Sequence, residues 1–354
     1  MLPSVTLVVA MRNEAASIEA CLRSLLAQDW PEDRLELLVM DGRSTDDSRA
    51  IAERLLAGRP NARVLDNERI IQAAAWNQGI DLAAGDIVGI VSGHAELDPG
   101  YVAAAVRTLE ETGATLVGGP VVAIGEGPIG EAVAIATSTP FGVGGARHHY
   151  VTERAEVDTV FMGLARREDY ARLKFDETMV RNQDDELSYR ILDEGGRIVC
   201  DPAMRSRYRN RSTLAGLWRQ QFAYGSWKIR VFQQHPRQAR LRHLVPAAFV
   251  GALAGSSLLA GVSSLGRAAL VATVVTYGAA DLGASALGAA RAEADPGPGD
   301  DGGTTRPGGR LGLFARLAVV YPTIHLAYGL GGFAGLVRFR DGWRRRGEPA
   351  VDGN

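Results

Sequence analysis

Cysteine is almost absent: Cys21 and Cys200 are the only two in 354 residues. This excludes a disulfide framework and a cysteine-held zinc site, and fits a reducing compartment. Neither sign of charge dominates. With 39 basic and 41 acidic residues the formal net charge is -2, which leaves no basis for nucleic-acid partners. No basic leader precedes the first apolar run. Met1-Leu2-Pro3-Ser4 passes directly into Val5-Thr6-Leu7-Val8-Val9-Ala10, which reads as a first core strand and not as a signal peptide. Long apolar runs are also missing, but only as far as about Arg242.

Beyond Arg242 stand three stretches with almost no charge: 244–266, 268–290 and 317–337. Each approaches or exceeds the ~20 residues that a helix needs to cross a bilayer. Asp281 lies within the second. It costs about 3 kcal/mol at mid-bilayer, so it is expected to face another helix or an interface. Glycine and alanine fill the first two stretches and permit close helix packing. Arg237, Arg240 and Arg242 before the first span, and Arg291, Arg306 and Arg310 after the second, place the preceding domain in the cytoplasm. The third stretch contains Pro322 and His325 and ends in Arg338, Arg340, Arg344, Arg345 and Arg346. Either it spans against the charge bias or it is re-entrant.

The first hundred residues alternate strand and helix. Strands are expected at 5–10, 35–40 and 87–91, and helices at 15–27, 45–56, 73–84 and 99–112. Such alternation predicts an α/β, Rossmann-like, mostly parallel sheet with helices on both faces. Ligands then sit beyond the carboxyl ends of the strands. Arg12-Asn13-Glu14, Asp41 and Ser92-Gly93-His94 fall at those ends and should line one crevice. Residues 113–150, rich in glycine, read as a flexible connection, and 291–310 as a mobile loop. From Leu214 to Phe232 aromatic and basic residues alternate, which suits a helix on a membrane surface; an ordinary packing helix is the other reading. The domains expected are a catalytic domain at 1–212, amphipathic interfacial helices at 213–243, a transmembrane region at 244–340 and a basic tail at 341–354.

Acidic and metal-competent clusters on loops after alternating strands and helices suggest a site that handles a charged leaving group and activates a hydroxyl, as transfer of a group from a nucleotide diphosphate would need. Asp41 is placed to accept a hydrogen bond from a nucleobase imino group. The run after it, Gly42-Arg43-Ser44-Thr45-Asp46-Asp47, equally suits a turn and a helix cap. A leaving diphosphate needs a divalent cation or fixed cationic donors. The loop after the 87–91 strand offers Ser92, His94, Glu96 and Asp98. His94 has two open roles, as a metal ligand or as a donor to phosphate. Asp184-Asp185-Glu186 opens a helix expected over 185–192, where acids also favour the helix dipole. Asp184, at the loop–helix junction, suits a general base.

The series Val9-Ala10-Met11-Arg12-Asn13-Glu14, Asp41 with Ser44-Thr45-Asp46, Asn77-Gln78-Gly79 and Ala84-Gly85-Asp86-Ile87-Val88 resembles the family 2 inverting glycosyltransferases of the GT-A fold. Later runs agree in order and spacing: Gly142-Val143-Gly144-Gly145-Ala146, Val157-Asp158-Thr159-Val160, Asn182-Gln183-Asp184-Asp185-Glu186-Leu187 and Arg219-Gln220. The pattern is similar to the succinoglycan-type exopolysaccharide branch, which carries C-terminal membrane helices.

The resemblance implies a nucleotide-sugar donor bound by Ala10, Arg12, Glu14, Asp41, Ser44, Asn77, Ser92 and Gly93. It implies Asp184 as catalytic base, and Asp185, Arg219 and Gln220 on the side of a lipid-linked glycan acceptor. A divalent metal, Mn or Mg, is implied as cofactor, with His94 and Glu96 as its candidate ligands. The enzyme would be multi-pass in the cell (inner) membrane, in contact with membrane lipids, its catalytic domain cytoplasmic. Two departures stand out. The family's paired-aspartate metal motif falls on Ser92-Gly93-His94, and Gly42 replaces a frequent second acid. Gln221-Phe222-Ala223-Tyr224-Gly225 stands where processive synthases carry Gln-x-x-Arg-Trp, which favours single-sugar transfer. Two other functions remain open. A nucleotidyltransferase would need a glycine-rich phosphate loop after the first strand, and Met11–Ser17 has no glycine. A membrane scaffold for polysaccharide export would account for the weakened metal motif.

Overall fold

The computed structural model of the chain describes residues 2–144, 151–294 and 308–344. The chain divides into two compact units: Met1–Val122 with Arg147–Arg209, and Ala123–Ala146 with Asn210–Asn354.

The first unit begins β1 (Val5–Met11), α1 (Ile18–Leu26), β2 (Leu35–Asp41), α2 (Ser48–Leu56), β3 (Ala62–Asp66), α3 (Gln72–Leu82), β4 (Ile87–Ser92), β5 (Ala95–Leu97), α4 (Tyr101–Thr112) and β6 (Leu116–Gly119). β7 (Val121–Ile124) crosses the unit boundary, and α5 (Gly127–Thr137) and α6 (Pro140–Val143) belong to the second unit. The first unit resumes with β8 (Ala155–Glu156), β9 (Phe161–Arg166), α7 (Arg167–Leu173), α8 (Gln183–Asp193), β10 (Ile198–Cys200) and β11 (Ser206–Arg209). The main sheet has the order β3-β2-β1-β4-β9-β6-β10-β8. β1 pairs in parallel with β2 and β4, whereas β9 runs antiparallel to both β4 and β6.

Period-two alternation explains why β1 is apolar except at Thr6. The buried Thr6 hydroxyl donates to Glu36 Oε2 at 2.7 Å and accepts from the Gly85 N–H at 2.9 Å. Val5, Leu7 and Val9 enter one core with Ile18, Leu22 and Leu25 of α1. Val8 and Ala10 enter the other, with Trp76 and Ile80 of α3 and Leu187 and Ile191 of α8. Both faces are covered, so no position on the strand can be polar without cost. Register aligns the strand ends: Met11 lies opposite Asp41, Asp41 opposite Asp66, and Ala10 opposite Ser92. The expected crevice edge is therefore a line of loops. Within the first hundred residues two strands escaped the sequence reading, and none of β6 to β11 beyond them was expected. β3 is a half-exposed edge strand, and β5 is only three residues long. Residues 113–150 hold β6, β7, α5 and α6 where a flexible connection was expected; residues 145–150 lie outside the described residues.

The second unit continues with α9 (Leu214–Gln234), α10 (Leu241–Ala260), α11 (Ser264–Ala294), α12 (Gly309–Arg338) and α13 (Asp341–Arg344). The Thr213 hydroxyl caps α9, accepting from the Gly216 N–H. α9 lies along α12 with both chains ascending together. Gly225 meets the Tyr328 carbonyl, Gly331 meets Phe222, and Gly335 meets Ser226, with no room for a Cβ at any of the three. α9 packs along α12, burying Leu217, Val231 and Phe232 and leaving Trp218 and Phe222 exposed.

Helices α10, α11 and α12 are long and apolar enough to cross a membrane. The 30 residues of α12 continue through Pro322 and extend about 45 Å at 1.5 Å per residue. The stretch 317–337 is thus the C-terminal two-thirds of one continuous helix that does not break at Pro322. Asp281 is buried, facing protein as its desolvation cost demands. His325 donates from Nε2 to the Phe141 carbonyl at 2.8 Å, so its Nδ1 accepts from the Tyr277 hydroxyl at 2.8 Å. α11 runs into the expected loop as far as Ala294; residues 295–307 and the basic tail at 345–354 lie outside the described residues.

Candidate active site

The loops after β1 and β2 are laced together. Asn13 adopts φ 54°, a left-handed conformation that asparagine tolerates, and its N–H donates to the Ser44 hydroxyl at 3.0 Å. Its side-chain oxygen accepts from the Thr45 N–H at 2.8 Å. The Glu14 N–H donates to the Ser48 hydroxyl at 2.6 Å. Asp41 is buried, and its Oδ1 accepts from the Ser44 N–H at 3.1 Å and the Ser44 hydroxyl at 2.6 Å. Its other oxygen faces Arg49 at 3.4 Å. Ser44 therefore positions Asp41. Gly42 has a steric cause: a Cβ there would stand 2.9 Å from the Ile70 carbonyl oxygen, so the acid common at this position does not fit.

Asn67 was not expected. It follows β3, the strand missed in the sequence, and its N–H donates to the Asp41 carbonyl at 2.8 Å. The side chain is buried and donates to the Ile71 carbonyl at 3.1 Å, while Oδ1 has no hydrogen-bond partner among the described residues. An Asp66-Asn67 pair closing an edge strand was the only available signal.

At the end of β4 the Ser92 hydroxyl accepts from Gln72 Nε2 at 2.9 Å. The Gly93 N–H donates to the Ala10 carbonyl at 2.9 Å. His94 then turns toward the β1 loop, with Nδ1 2.8 Å from Glu14 Oε1. The second oxygen of Glu14 accepts from the Ser17 hydroxyl at 2.9 Å. The His94 ring stands edge-on to Tyr208, centroids 5.2 Å apart, and Tyr208 meets Phe161 at 5.7 Å. Tyr208, on β11, is a second residue without a sequence signal. Arg209 pairs with Glu96 at 3.4 Å and Arg207 with Asp98 at 3.2 Å, so the loop's two carboxylates are taken up by β11.

This bears on the expected metal. His94 and Glu96 were to be joint ligands, yet His94 takes Glu14 and Glu96 takes Arg209. Among the described residues no group of three His, Cys, Asp or Glu side chains is arranged to hold a metal ion. The donor set does not fit a protein-built metal cage.

Asn77, expected on the donor side, instead clasps the segment before α8. Its Nδ2 donates to the Phe175 carbonyl and to Glu177, both at 2.9 Å, and its oxygen accepts from the Phe175 N–H at 2.7 Å. Asn182 then takes φ 59° and starts α8. Glu186 is buried against Arg190 at 2.7 Å, and Arg190 donates on to the Lys174 carbonyl at 2.8 Å. Asp184 is part-exposed in the first turn, with Oδ1 accepting from the Asp185 N–H at 3.0 Å. One turn further on, the Ser188 hydroxyl meets the Thr159 hydroxyl at 3.2 Å. Thr159 leads into β9, and antiparallel pairing sets the start of β9 beside the end of β4. The α8 start and the His94 loop thus belong to one edge of the sheet. Arg219 and Gln220 lie on α9, in the other unit. The two cysteines are buried and free, and burial pushes the Cys200 thiol up to about 12; neither contributes a reactive group.

Comparison with known proteins agrees with this geometry. Residues 6–172 match the model of Glycosyl transferase family 2. The succinoglycan biosynthesis protein ExoA of Rhizobium meliloti is 31% identical over 257 residues, covering 72% of this chain and 77% of that protein. A dolichyl N-acetyl-alpha-D-glucosaminyl phosphate 3-beta-D-2,3-diacetamido-2,3-dideoxy-beta-D-glucuronosyltransferase of Methanococcus voltae is 28% identical over 233 residues, covering 63% and 72%. Among solved structures, a mannosyltransferase of Pyrobaculum calidifontis, determined with GDP-Man and Mn2+, superposes with TM-score 0.61 at 22% identity. The match covers 95% of this chain and 88% of that one.

Proposed function

Because the chain belongs to the family 2 glycosyltransferases, we propose that it is an inverting enzyme moving one sugar from a nucleotide-sugar to a lipid-linked glycan. The setting is exopolysaccharide or cell-envelope glycan synthesis at the cytoplasmic leaflet of the inner membrane. The relatives support the setting: one is named for succinoglycan biosynthesis and another for a dolichyl-phosphate-linked acceptor. The basic flanks of the spans support the cytoplasmic orientation.

In this reading the nucleoside lies against Asp41 and the loops after β1, β2 and β3. Asp184 removes the proton of the acceptor hydroxyl. That oxygen attacks the anomeric carbon from the face opposite the diphosphate, the carbon–oxygen bond to the diphosphate breaks, and the diphosphate departs with the electron pair. Its negative charge is met by the His94 imidazole, oriented by Glu14, and by the exposed Arg12 guanidinium. Neither interaction requires the Ser92 position to be an acid.

The observation that carries the proposal is the shared sheet edge of Asp184 and His94, linked through Ser188, Thr159 and the β9–β4 pairing. Asp184→Asn tests it: transfer should vanish while nucleotide-sugar affinity, read by titration calorimetry, stays within about twofold. Continued turnover by this variant would remove Asp184 from the base role.

A further inference from the structure

β9 carries one residue too many for its neighbour. Val117 of β6 pairs with Leu164 and Gly119 with Phe161, so the single Gly118 stands opposite two residues, Met162 and Gly163. The bulge is taken up by Met162, at φ 54°, a backbone region that strains any residue with a side chain. A glycine stands next to it, but Gly163 is committed elsewhere: a Cβ there would lie 2.6 Å from Leu116 Cδ1. The bulge brings two successive side chains, Phe161 and Met162, onto the same core, where a regular strand would send them to opposite faces.

Three contacts tie the bulge to the site. The buried Tyr101 hydroxyl donates to the Met162 carbonyl at 2.8 Å. The β4–β9 ladder ends at Gly89 opposite Leu164, and further along β4 the Ser92 N–H donates to Met162 Sδ at 3.2 Å. The Phe161 ring meets Tyr208, centroids 5.7 Å apart, and Tyr208 meets His94 at 5.2 Å. Both ends of Ser92-Gly93-His94 thus rest on one bulge. A thioether is a weak acceptor, yet a hydrocarbon of the same size would leave the buried Ser92 N–H without a partner.

We propose that Met162 is a positioning residue for transfer: the bulge sets the Ser92 N–H through Sδ and, through the Phe161 and Tyr208 rings, the direction of the His94 imidazole. This rests on the reading of His94 as the group that meets the departing diphosphate, and adds to it what aims that group.

Met162→Leu keeps the volume and removes the sulfur, while Tyr101→Phe keeps the ring and frees the Met162 carbonyl. Met204→Leu, the same exchange in the same buried core, is the control. Hydrogen–deuterium exchange of the full-length protein in lipid nanodiscs needs no substrate. Amides of 90–94 should exchange about fivefold faster in the first two variants and at the wild-type rate in the control. Peptides of β2 and α3 should not change in any of them. Turnover is read as nucleoside diphosphate released from UDP-glucose or GDP-mannose, whichever the wild type consumes. Met162→Leu should lower kcat about tenfold with donor KM little changed, and lose nothing further when added to His94→Ala.

Unchanged exchange at 90–94 in both variants overturns the proposal. So does a loss that multiplies with that of His94→Ala, which marks a packing fault independent of the imidazole. The reading of His94 fails separately. If His94→Ala turns over as fast as wild type, faster exchange at 90–94 still assigns the loop's position to the bulge, and only the role given to the imidazole falls.

Discussion

Nδ1 of His94 lies 2.8 Å from Oε1 of Glu14, across the gap between the loops that follow β4 and β1. One nitrogen of the ring is thus held by a carboxylate and only the other is left for a ligand. The positions that resemblance assigned separately to a metal and to the nucleoside form one couple.

The couple makes a graded prediction. In the proposed mechanism His94→Ala removes a donor to the departing diphosphate and should cost about 100-fold in kcat. Glu14→Gln keeps the ring in place and should lose less. Steady-state kinetics with a saturating donor measure both; an equal loss in the two variants would show that Glu14 acts directly on the substrate.

Restoring the family's acid at position 42 should not improve the enzyme. The Cβ of Gly42→Asp would press on the Ile70 carbonyl, and such overpacking costs about 1–3 kcal/mol. Thermal unfolding should show a lowered midpoint with no gain in donor affinity.

Asn77 should matter for stability more than for donor contact. Asn77→Ala leaves the Phe175 backbone groups, buried under α3, without partners, at a cost of about 1–3 kcal/mol. Limited proteolysis should cut first in 175–182, and transfer should fall through misplacement of Asp184.

Stability should depend on pH through Asp46. Hydrogen bonding from the Ser48 side chain, with further backbone N–H bonds, holds its carboxyl below the ordinary 3.8. A carboxylate with a depressed folded value contributes stability above the unfolded value and loses it as pH falls through the folded one. The difference in melting temperature between wild type and Asp46→Asn should therefore be present at neutral pH and shrink as the pH falls below 3.8 through the lowered folded value. A difference that persists in acid would mean that Asp46 acts by packing and not by charge.

Period and composition alone announced the parallel core strands, the helices that cover them and the three membrane-length helices, because one-dimensional spacing carries a buried face directly. Those signals also put Arg12, Glu14, Asp41, Ser92 and His94 at strand ends, and parallel register aligned those ends. What β3 and β5 lacked was contrast: a half-exposed edge strand and a three-residue strand have too little apolar pattern to register. Partner choice was decided in three dimensions. Nothing in the order of residues says that His94 turns to Glu14 while Glu96 turns to Arg209, since these pairs are 80 and 113 positions apart. Nor does composition show that α12 passes unbroken through Pro322. Long-range pairing and helix continuity depend on which surfaces the folded chain brings within a few ångströms, and only the tertiary structure specifies that.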